Sequence, residues 1–101
     1  MQTLKLADDL FPSLESGDKK VTVRRGRRDI QLAPLEFESV SGDIDPVEVE
    51  VVEVRHLRLS GINEEVCHLD NYGSWVELYE TMKKFYPDID VTEECTIIFF
   101  E

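Results

Sequence analysis

Alternation of apolar and polar residues identifies the first strand, between Lys20 and Arg24. Val21 and Val23 are β-branched and occupy every second position, a pattern typical of a half-buried strand. We expect both valines to face the core. Lys20, Thr22 and Arg24 would then share the opposite side of the strand.

The strongest alternation in the chain predicts a long strand over Val47–Leu57. Its parity switches at Val51–Val52, which predicts a β-bulge. A second alternating segment, Leu35–Val40, precedes a turn and is expected to pair with the long strand as a hairpin. Thr96–Phe100 predicts a closing strand, and Thr3–Leu6 is either a short strand or the lead-in to a helix.

Two short helices are expected from apolar spacing and from residues that start or stop helices. The first spans Asp8–Ser16, with Asp8 or Asp9 as N-cap and Gly17 at its end. Ser60–Leu69 reads as a turn that leads into a second short helix.

The clearest helix is predicted over Ser74–Phe85. Ser74 is its N-cap, and Glu77 lies at the spacing of a capping box. Its predicted apolar stripe consists of Val76, Leu78, Tyr79, Met82 and Phe85.

These elements predict an α+β fold: a small mixed β-barrel with two or three short helices. Closure of the sheet would remove exposed strand edges. The 101 residues are an ordinary length for one domain, so residues 1–101 are expected to form a single domain.

Charge is distributed unevenly along the chain. The net charge is −11, yet the ten residues from Lys19 to Arg28 carry six basic side chains and no acidic one. A focused basic patch suits a small anionic or polar ligand, or a short single-stranded nucleic acid, better than a long duplex. The alternative is an exposed loop that balances the acidic surface.

Composition excludes several other classes of protein. Two cysteines, Cys67 and Cys95, are too few for a disulfide framework, and they are expected to be reduced. Neither His56 nor His68 belongs to a pattern with metal-ligand spacing, so no metal and no cofactor are expected. No apolar stretch approaches the ~20 residues of a membrane span, and no signal peptide is recognised, so a cytoplasmic location is expected.

The segment from Gly17 to Arg24 resembles the GxKxxTxR signature of the ASCH family, with Gly17, Lys19, Thr22 and Arg24 at the matching positions. The context resembles the family as well. A Leu-Phe-Pro-x-Leu-x-x-Gly pattern precedes the motif, and an acidic-Asn-aromatic turn at residues 70–72 follows it before the second major helix. The resemblance covers almost the whole chain and implies a PUA-like barrel linked to RNA.

Among small ASCH proteins, the chain is similar to N(4)-acetylcytidine amidohydrolases. That resemblance implies an amide-cleaving site in which Lys19, Thr22 and Asp70 are catalytic and Arg24 is a substrate-binding or structural cation. A threonine hydroxyl is a weak nucleophile until a base takes its proton, and a neutral lysine can be that base. The family enzyme has Glu where this chain has Asp70, whose side chain is one methylene shorter.

The identity of the base is open at this point. On a regular strand Lys20 shares the side of Thr22, whereas Lys19 points to the other side. Lys19 reaches Thr22 only if the chain is still turning after Gly17, which glycine permits. Family position favours Lys19, and strand parity favours Lys20, which is otherwise expected to bind substrate.

The alternative function is a non-catalytic RNA- or nucleotide-binding module, or a ribonuclease. Arg27 and Arg28 would contact phosphates, and Tyr72 would stack on a base. Under either function the partner is a modified nucleoside, a nucleotide or short single-stranded RNA, bound by a monomer.

Each candidate also has an ordinary structural interpretation. Thr22 suits a strand by propensity, Arg24 could pair with Asp70, and Asp70 could cap the turn before Ser74. Trp75, a second stacking candidate, is better explained as packing between helix and barrel. An acidic surface could also serve protein interaction, although no particular residue argues for it.

Overall fold

A computed structural model describes all residues, 1–101, and contains five strands and three α-helices. In chain order the elements are β1 (Gln2–Leu6), α1 (Phe11–Ser16), β2 (Val21–Arg25), β3 (Pro34–Ser39), β4 (Val47–Arg58), α2 (Glu64–Leu69), α3 (Trp75–Phe85) and β5 (Glu94–Phe100). Two 3₁₀ turns, Asp8–Leu10 and Leu59–Gly61, lead into α1 and towards α2. The segment Thr3–Leu6, left open between strand and helix lead-in, is therefore part of a strand.

The five strands form one curled half-barrel sheet in the order β1-β3-β4-β5-β2. The β1–β3 pair is parallel, and the other three pairs are antiparallel. This confirms the predicted α+β fold with a small mixed barrel-like sheet, although the sheet is a half-barrel that keeps two edge strands. The two edge strands, β1 and β2, lie on either side of an open seam. Across this seam, the half-buried guanidinium of Arg24 on β2 donates to the backbone carbonyl of Lys5 on β1 at 2.7 Å.

The predicted hairpin and its bulge are both present. Leu35 and Phe37 on β3 lie opposite Val49 and Val47 on β4. The register of β4 against β5 shifts between Val51 and Glu53, where the alternation changes parity.

The start of α3 follows the local sequence, whereas the start of α1 does not; the predicted end of α1 at Gly17 is confirmed. Ser74 caps α3 by accepting a hydrogen bond from the amide of Glu77, and the Glu77 carboxylate accepts from the amide of Gly73. The predicted cap at Asp8 or Asp9 is wrong, because Ala7 and Leu10 hold those positions and no side chain caps either turn. Asp8 instead accepts from the amide of Ser41 at 3.3 Å.

Two apolar cores cover the two faces of the sheet. The first core lies between the sheet and helices α2 and α3, and it contains Val21 and Val23. The second core packs α1 against the other face around Phe37 and Phe100, whose rings meet edge to face at 5.2 Å. Both faces are therefore buried, and Thr22, which alternates with the valines, points away from the first core.

The apolar stripe predicted for α3 is only partly buried. Leu78 and Met82 belong to the first core, whereas Val76 and Phe85 are exposed. The exposed ring of Phe85 lines a cavity at the seam. None of the helices has the length and apolar character that crossing a bilayer requires.

Candidate active site

A cavity of about 220 Å³ occupies the seam between β1 and β2, where the two cores meet under the end of α3. Ten of its sixteen lining residues are hydrophobic. The polar and charged members come from distant parts of the sequence: Lys5, Lys19, Thr22, Arg24, Asp70 and Thr81. An apolar cavity with a few convergent polar groups is the usual form of a small-molecule site.

Lys19 lies inside this cavity because the chain turns sharply before β2. Gly17 ends α1 in the left-handed conformation, with φ of 84°, which glycine adopts without steric cost. The amide of Lys19 then donates to the carbonyl of Ser13 at 3.0 Å. β2 begins only at Val21, so strand parity does not govern Lys19, whose side chain turns inward and is 4% exposed.

Asp70 comes to the same point from the end of α2. It is the C-cap of that helix, and its amide donates to the carbonyls of Val66 and Cys67. Asn71 follows with a φ of 65°, a conformation that asparagine tolerates better than most residues. This turn directs the Asp70 carboxylate into the protein, where it is 5% exposed, and Ser74 rather than Asp70 caps α3.

Lys19 and Asp70 form a buried ion pair, in which the ammonium donates to Oδ1 of the carboxylate. Burial raises the pKa of Asp70 from 3.8 to about 6, although Lys19 and, more weakly, Arg24 act to lower it. Removing two charges from water is costly, and the pair compensates that cost only in part. The carboxylate therefore exchanges protons near neutral pH, as an acid–base group requires.

Thr22 and Arg24 lie side by side on β2 and both line the cavity. The Nε of Arg24 donates to Oγ1 of Thr22 at 3.1 Å, and its Nη1 donates to the Lys5 carbonyl. Burial lowers the pKa of the Arg24 guanidinium, which nevertheless remains charged. Arg24 does not pair with Asp70, whose ion-pair partner is Lys19.

The two aromatic candidates have different surroundings. Tyr72 is half-buried and lines the cavity, and burial raises the pKa of its phenol to about 12, so it stays protonated. Trp75 does not line the cavity. Its indole donates to the Leu59 carbonyl at 2.9 Å, and its ring stacks on Tyr79 at 5.3 Å, which is a packing role.

The remaining basic candidates lie outside the cavity. Lys20 is exposed, while its backbone bonds to Leu69 and Phe100. Arg27 pairs with Glu94 at 3.3 Å, and the Nε of Arg28 donates to a backbone carbonyl of its own loop. The structure thus brings Lys19, Thr22, Asp70, Arg24 and Tyr72 together and leaves Lys20, Arg27 and Arg28 elsewhere.

Neither cysteine offers a competing nucleophile. Cys67 and Cys95 are free and buried, and neither lines the cavity. Burial raises the pKa of each thiol to about 11, so both remain protonated at neutral pH.

Sequence reasoning missed a large part of the cavity wall. Lys5, Leu6 and Ala7 contribute from β1 and the residue after it. Phe85 and Tyr86 contribute from the end of α3. The pairing of β1 with β3 brings β1 to the seam, and no local sequence pattern predicts that pairing. Phe85 gives a weak sequence signal, because it is an aromatic residue on an amphipathic helix that is not buried in the core.

Comparison with solved structures gives the same fold. An ASCH domain from Lactobacillus crispatus JV V101 aligns with a TM-score of 0.79 and 12% identity, over 99% of this chain and 79% of that one. A variant ASCH protein from Zymomonas mobilis aligns with a TM-score of 0.69 and 12% identity, over 98% of this chain and 66% of that one. A protein from Enterococcus faecalis V583 aligns with a TM-score of 0.68 and 13% identity, over 92% of this chain and 69% of that one.

Sequence comparisons add nothing to this result. No protein-family model matches the chain, and no curated protein matches it. At these identities the structural matches establish the architecture of the chain and not its activity. The chain has the fold of the ASCH domains, an α+β fold built on a curled half-barrel sheet.

Proposed function

We propose that this protein hydrolyses the amide of N(4)-acetylcytidine or a closely related acylated cytosine nucleoside, with Lys19, Thr22 and Asp70 as its catalytic residues. The observation that carries the proposal is a buried lysine–aspartate pair in the wall of a cavity that Thr22 also lines. A buried ion pair contributes little net stability, because the cost of removing two charges from water offsets their attraction, so this pair suits a chemical role. The GxKxxTxR resemblance supplies the reaction class.

The first step generates a base inside the pair. A proton moves from Nζ of Lys19 to Oδ1 of Asp70, which converts an ammonium and a carboxylate into an amine and a carboxylic acid. Burial favours this neutral form relative to water, and the raised pKa of Asp70 acts in the same direction. No outside base is needed, because the pair contains both the donor and the acceptor.

The amine of Lys19 then takes the hydroxyl proton of Thr22, and Oγ1 attacks the acetyl carbonyl carbon. Arg24, whose Nε donates to Oγ1 at 3.1 Å, stabilises the negative charge that develops there. As the tetrahedral intermediate collapses, the carbon–nitrogen bond breaks, and Asp70 gives its proton to the leaving exocyclic amine. The products of this half-reaction are cytidine and an acetyl ester on Thr22.

Water completes the cycle by the same proton path. After a second proton shift within the pair, Lys19 takes a proton from water, and the hydroxide formed attacks the ester carbonyl. Thr22 leaves as its alcohol with a proton from Asp70, and acetic acid is released, which ionises to acetate by giving its proton to solvent. The ion pair returns to its starting state, so the protein is unchanged over one turnover.

The shorter acidic side chain is compatible with this scheme. Asp70 reaches Lys19 directly, because the end of α2 brings its backbone close to the start of β2, where the amide of Lys20 donates to the Leu69 carbonyl at 3.1 Å. That backbone contact offsets the methylene that Glu would add.

The ion pairs of the basic loop argue against the alternative of RNA binding through that loop. Arg25 contacts Asp88 and Glu93, and Arg27 contacts Glu94. Phosphate contacts there would have to displace carboxylates, which an acidic protein has in excess.

The test is incubation of the purified protein with N(4)-acetylcytidine, with chromatographic measurement of cytidine and acetate. Thr22→Ala should lower kcat/KM by at least about 1,000-fold, because it removes the nucleophile. Thr22→Ser, which keeps a hydroxyl, should retain measurable activity. Thr3→Ala, a change at an exposed strand threonine outside the cavity, is the matched control and should match the wild type.

Absence of cytidine from the wild-type reaction would refute the proposal. Equal rates for Thr22→Ala and Thr3→Ala would remove Thr22 from the mechanism. Unfolding curves of all three variants establish that each protein is folded in the assay.

A further inference from the structure

The cavity and the rest of the chain carry opposite charge. The charged lining residues are three cations, Lys5, Lys19 and Arg24, and one carboxylate, Asp70, in a protein whose net charge is −11. Since Asp70 is already paired with Lys19, two cations remain uncompensated. A positive cavity in a negative protein focuses the field on an anionic ligand.

Arg24 has capacity to bind such a ligand. Its guanidinium has five N–H donors, and hydrogen bonds to Thr22 and to the Lys5 carbonyl use two of its nitrogens. It takes part in none of the five ion pairs. The adjacent Arg25, by contrast, contacts two carboxylates. A half-buried cation without a carboxylate is unusual, because charges removed from water are normally paired.

Lys5 supplies the second free charge, at the mouth of the cavity. Its side chain is exposed and lines the cavity, and it also belongs to no ion pair. Its own carbonyl accepts the hydrogen bond from Nη1 of Arg24, so the backbone of one cation contacts the side chain of the other. The two positive groups therefore line the same cavity from opposite sides of the seam.

The walls and size of the cavity describe the rest of the ligand. Two large hydrophobic residues that are exposed to solvent, Val40 at 69% and Phe85 at 58%, line this cavity and provide apolar surface for a flat ring. The volume of about 220 Å³ is below the ~300–1,000 Å³ of sites that enclose drug-sized ligands. A cavity of this size has room for a pyrimidine base with a small acyl group, which would leave the ribose and its 5′ substituent at the mouth.

We infer that the preferred substrate carries an anionic group at that mouth: it is the 5′-monophosphate of an N(4)-acylated cytidine, whose phosphate contacts Arg24 and Lys5, and the free nucleoside undergoes the same reaction but binds more weakly. This inference rests on the proposed function for the acylated base. The contact with the phosphate rests only on the charges and the cavity. Arg24 thereby has two roles, since one edge of its guanidinium orients Thr22 and its remaining donors bind the phosphate.

The experiment is calorimetric titration of the wild-type protein with cytidine 5′-monophosphate and, separately, with cytidine. Both are product-like, so binding is measured without turnover. The monophosphate should bind at least about tenfold more tightly, since hydrogen bonds to charged groups are the stronger ones. The advantage should shrink as salt is added, because the mouth is open to solvent.

Three variants locate the contact. Arg24→Gln should remove most of the tenfold advantage, and Lys5→Gln should reduce it about two- to fivefold, as expected for an exposed charge. Lys5 is exposed, so its variant remains informative even if Arg24→Gln fails to fold. Arg27→Gln removes the same unit of charge in the basic loop, outside the cavity, and should leave both affinities unchanged.

Equal affinity for the monophosphate and for cytidine would overturn the inference, as would binding of neither. A monophosphate advantage that Arg27→Gln abolishes and Lys5→Gln leaves intact would also overturn it. Failure of the proposed function is separately visible, because hydrolysis is scored on acetylated compounds. Loss of hydrolysis with the binding pattern intact would refute only the reaction.

Discussion

Two charged regions of this molecule, the basic loop after β2 and the Lys19–Asp70 pair, behave in opposite ways. The basic loop, with Arg25 at the end of β2 followed by Arg27 and Arg28, contains three of the chain's eleven Lys and Arg residues and is a conspicuous feature of the sequence. Its charges lie at the surface, and carboxylates near β5 neutralise Arg25 and Arg27. The pair is a single contact between residues 51 positions apart, yet both members are almost wholly buried.

The comparison teaches that burial, and not the density of charge along the chain, marks the reactive groups. An exposed ion pair is screened by water and salt and contributes little. A buried pair experiences a low effective dielectric, which raises the pKa of Asp70 to about 6 and makes proton exchange accessible near neutral pH. We therefore expect changes in the pair to have large effects and changes in the loop to have small ones.

The largest effect is expected from breaking the pair on one side. Lys19→Met keeps the apolar stem but leaves Asp70 buried without a partner, which should lower the free energy of unfolding at pH 7 by about 3–5 kcal/mol. Urea denaturation measures the change. The double variant Lys19→Met/Asp70→Leu should recover most of the loss, and a double variant as unstable as the single one would contradict a role for the unpaired charge.

The next effect concerns stability as a function of pH. The pKa of Asp70 is about 6 in the folded protein, whereas the ordinary value, which applies to the unfolded chain, is 3.8. The folded state therefore binds the Asp70 proton more tightly than the unfolded state does. Its contribution to stability is fully present below pH 3.8 and is lost as the pH rises through about 6. Relative to Asp70→Asn, the wild type should lose about 2–3 kcal/mol of unfolding free energy across that window. A difference between the two proteins that does not change with pH would contradict the assignment.

The same titration should appear in activity with the opposite sign. The proposed mechanism needs an ionised Asp70 to accept the proton of Lys19, so kcat/KM for N(4)-acetylcytidine should rise with pH through about 6. The measurement is a pH–rate profile. If the residual kcat/KM of Asp70→Asn still falls at low pH with the same midpoint, the titrating group is not Asp70.

The smallest effect is expected in the basic loop. Arg25→Gln removes contacts with Asp88 and Glu93. Because these groups are in contact with solvent, the loss of stability should be much smaller than for Lys19→Met and should disappear in high salt. Urea denaturation at two ionic strengths measures it. A loss as large as that of Lys19→Met would show that the contrast between loop and pair is wrong.

The parts of the fold that could be predicted are those that depend on residues close together in the sequence. The alternation of β4 gave both the strand and its bulge, and Ser74 with Glu77 gave the start of α3. The cap predicted at Asp8 or Asp9 was wrong because Asp8 bonds to Ser41, a contact across the fold. Pairing between distant strands, such as the parallel β1–β3 pair, has no local signature.

The site shows the same limit. Strand parity favoured Lys20 over Lys19, but β2 begins only at Val21, so parity does not apply to either lysine. The cavity wall from β1 depends on that distant pairing. The basic loop was a predicted phosphate site. The local sequence did not show that Arg25 and Arg27 are neutralised, because the carboxylates that contact them lie more than sixty residues later in the chain.

The measurement that tests the central claim most directly is detection of the acetyl ester on Thr22. Wild-type protein is mixed with N(4)-acetylcytidine, quenched in acid within the first turnovers, and analysed by peptide mass spectrometry. The mechanism predicts one added acetyl group on the peptide that contains Thr22, and none in Thr22→Ala or Lys19→Met. Cytidine release without any acetylated Thr22, or acetylation of Thr22 that does not depend on Lys19, would contradict it.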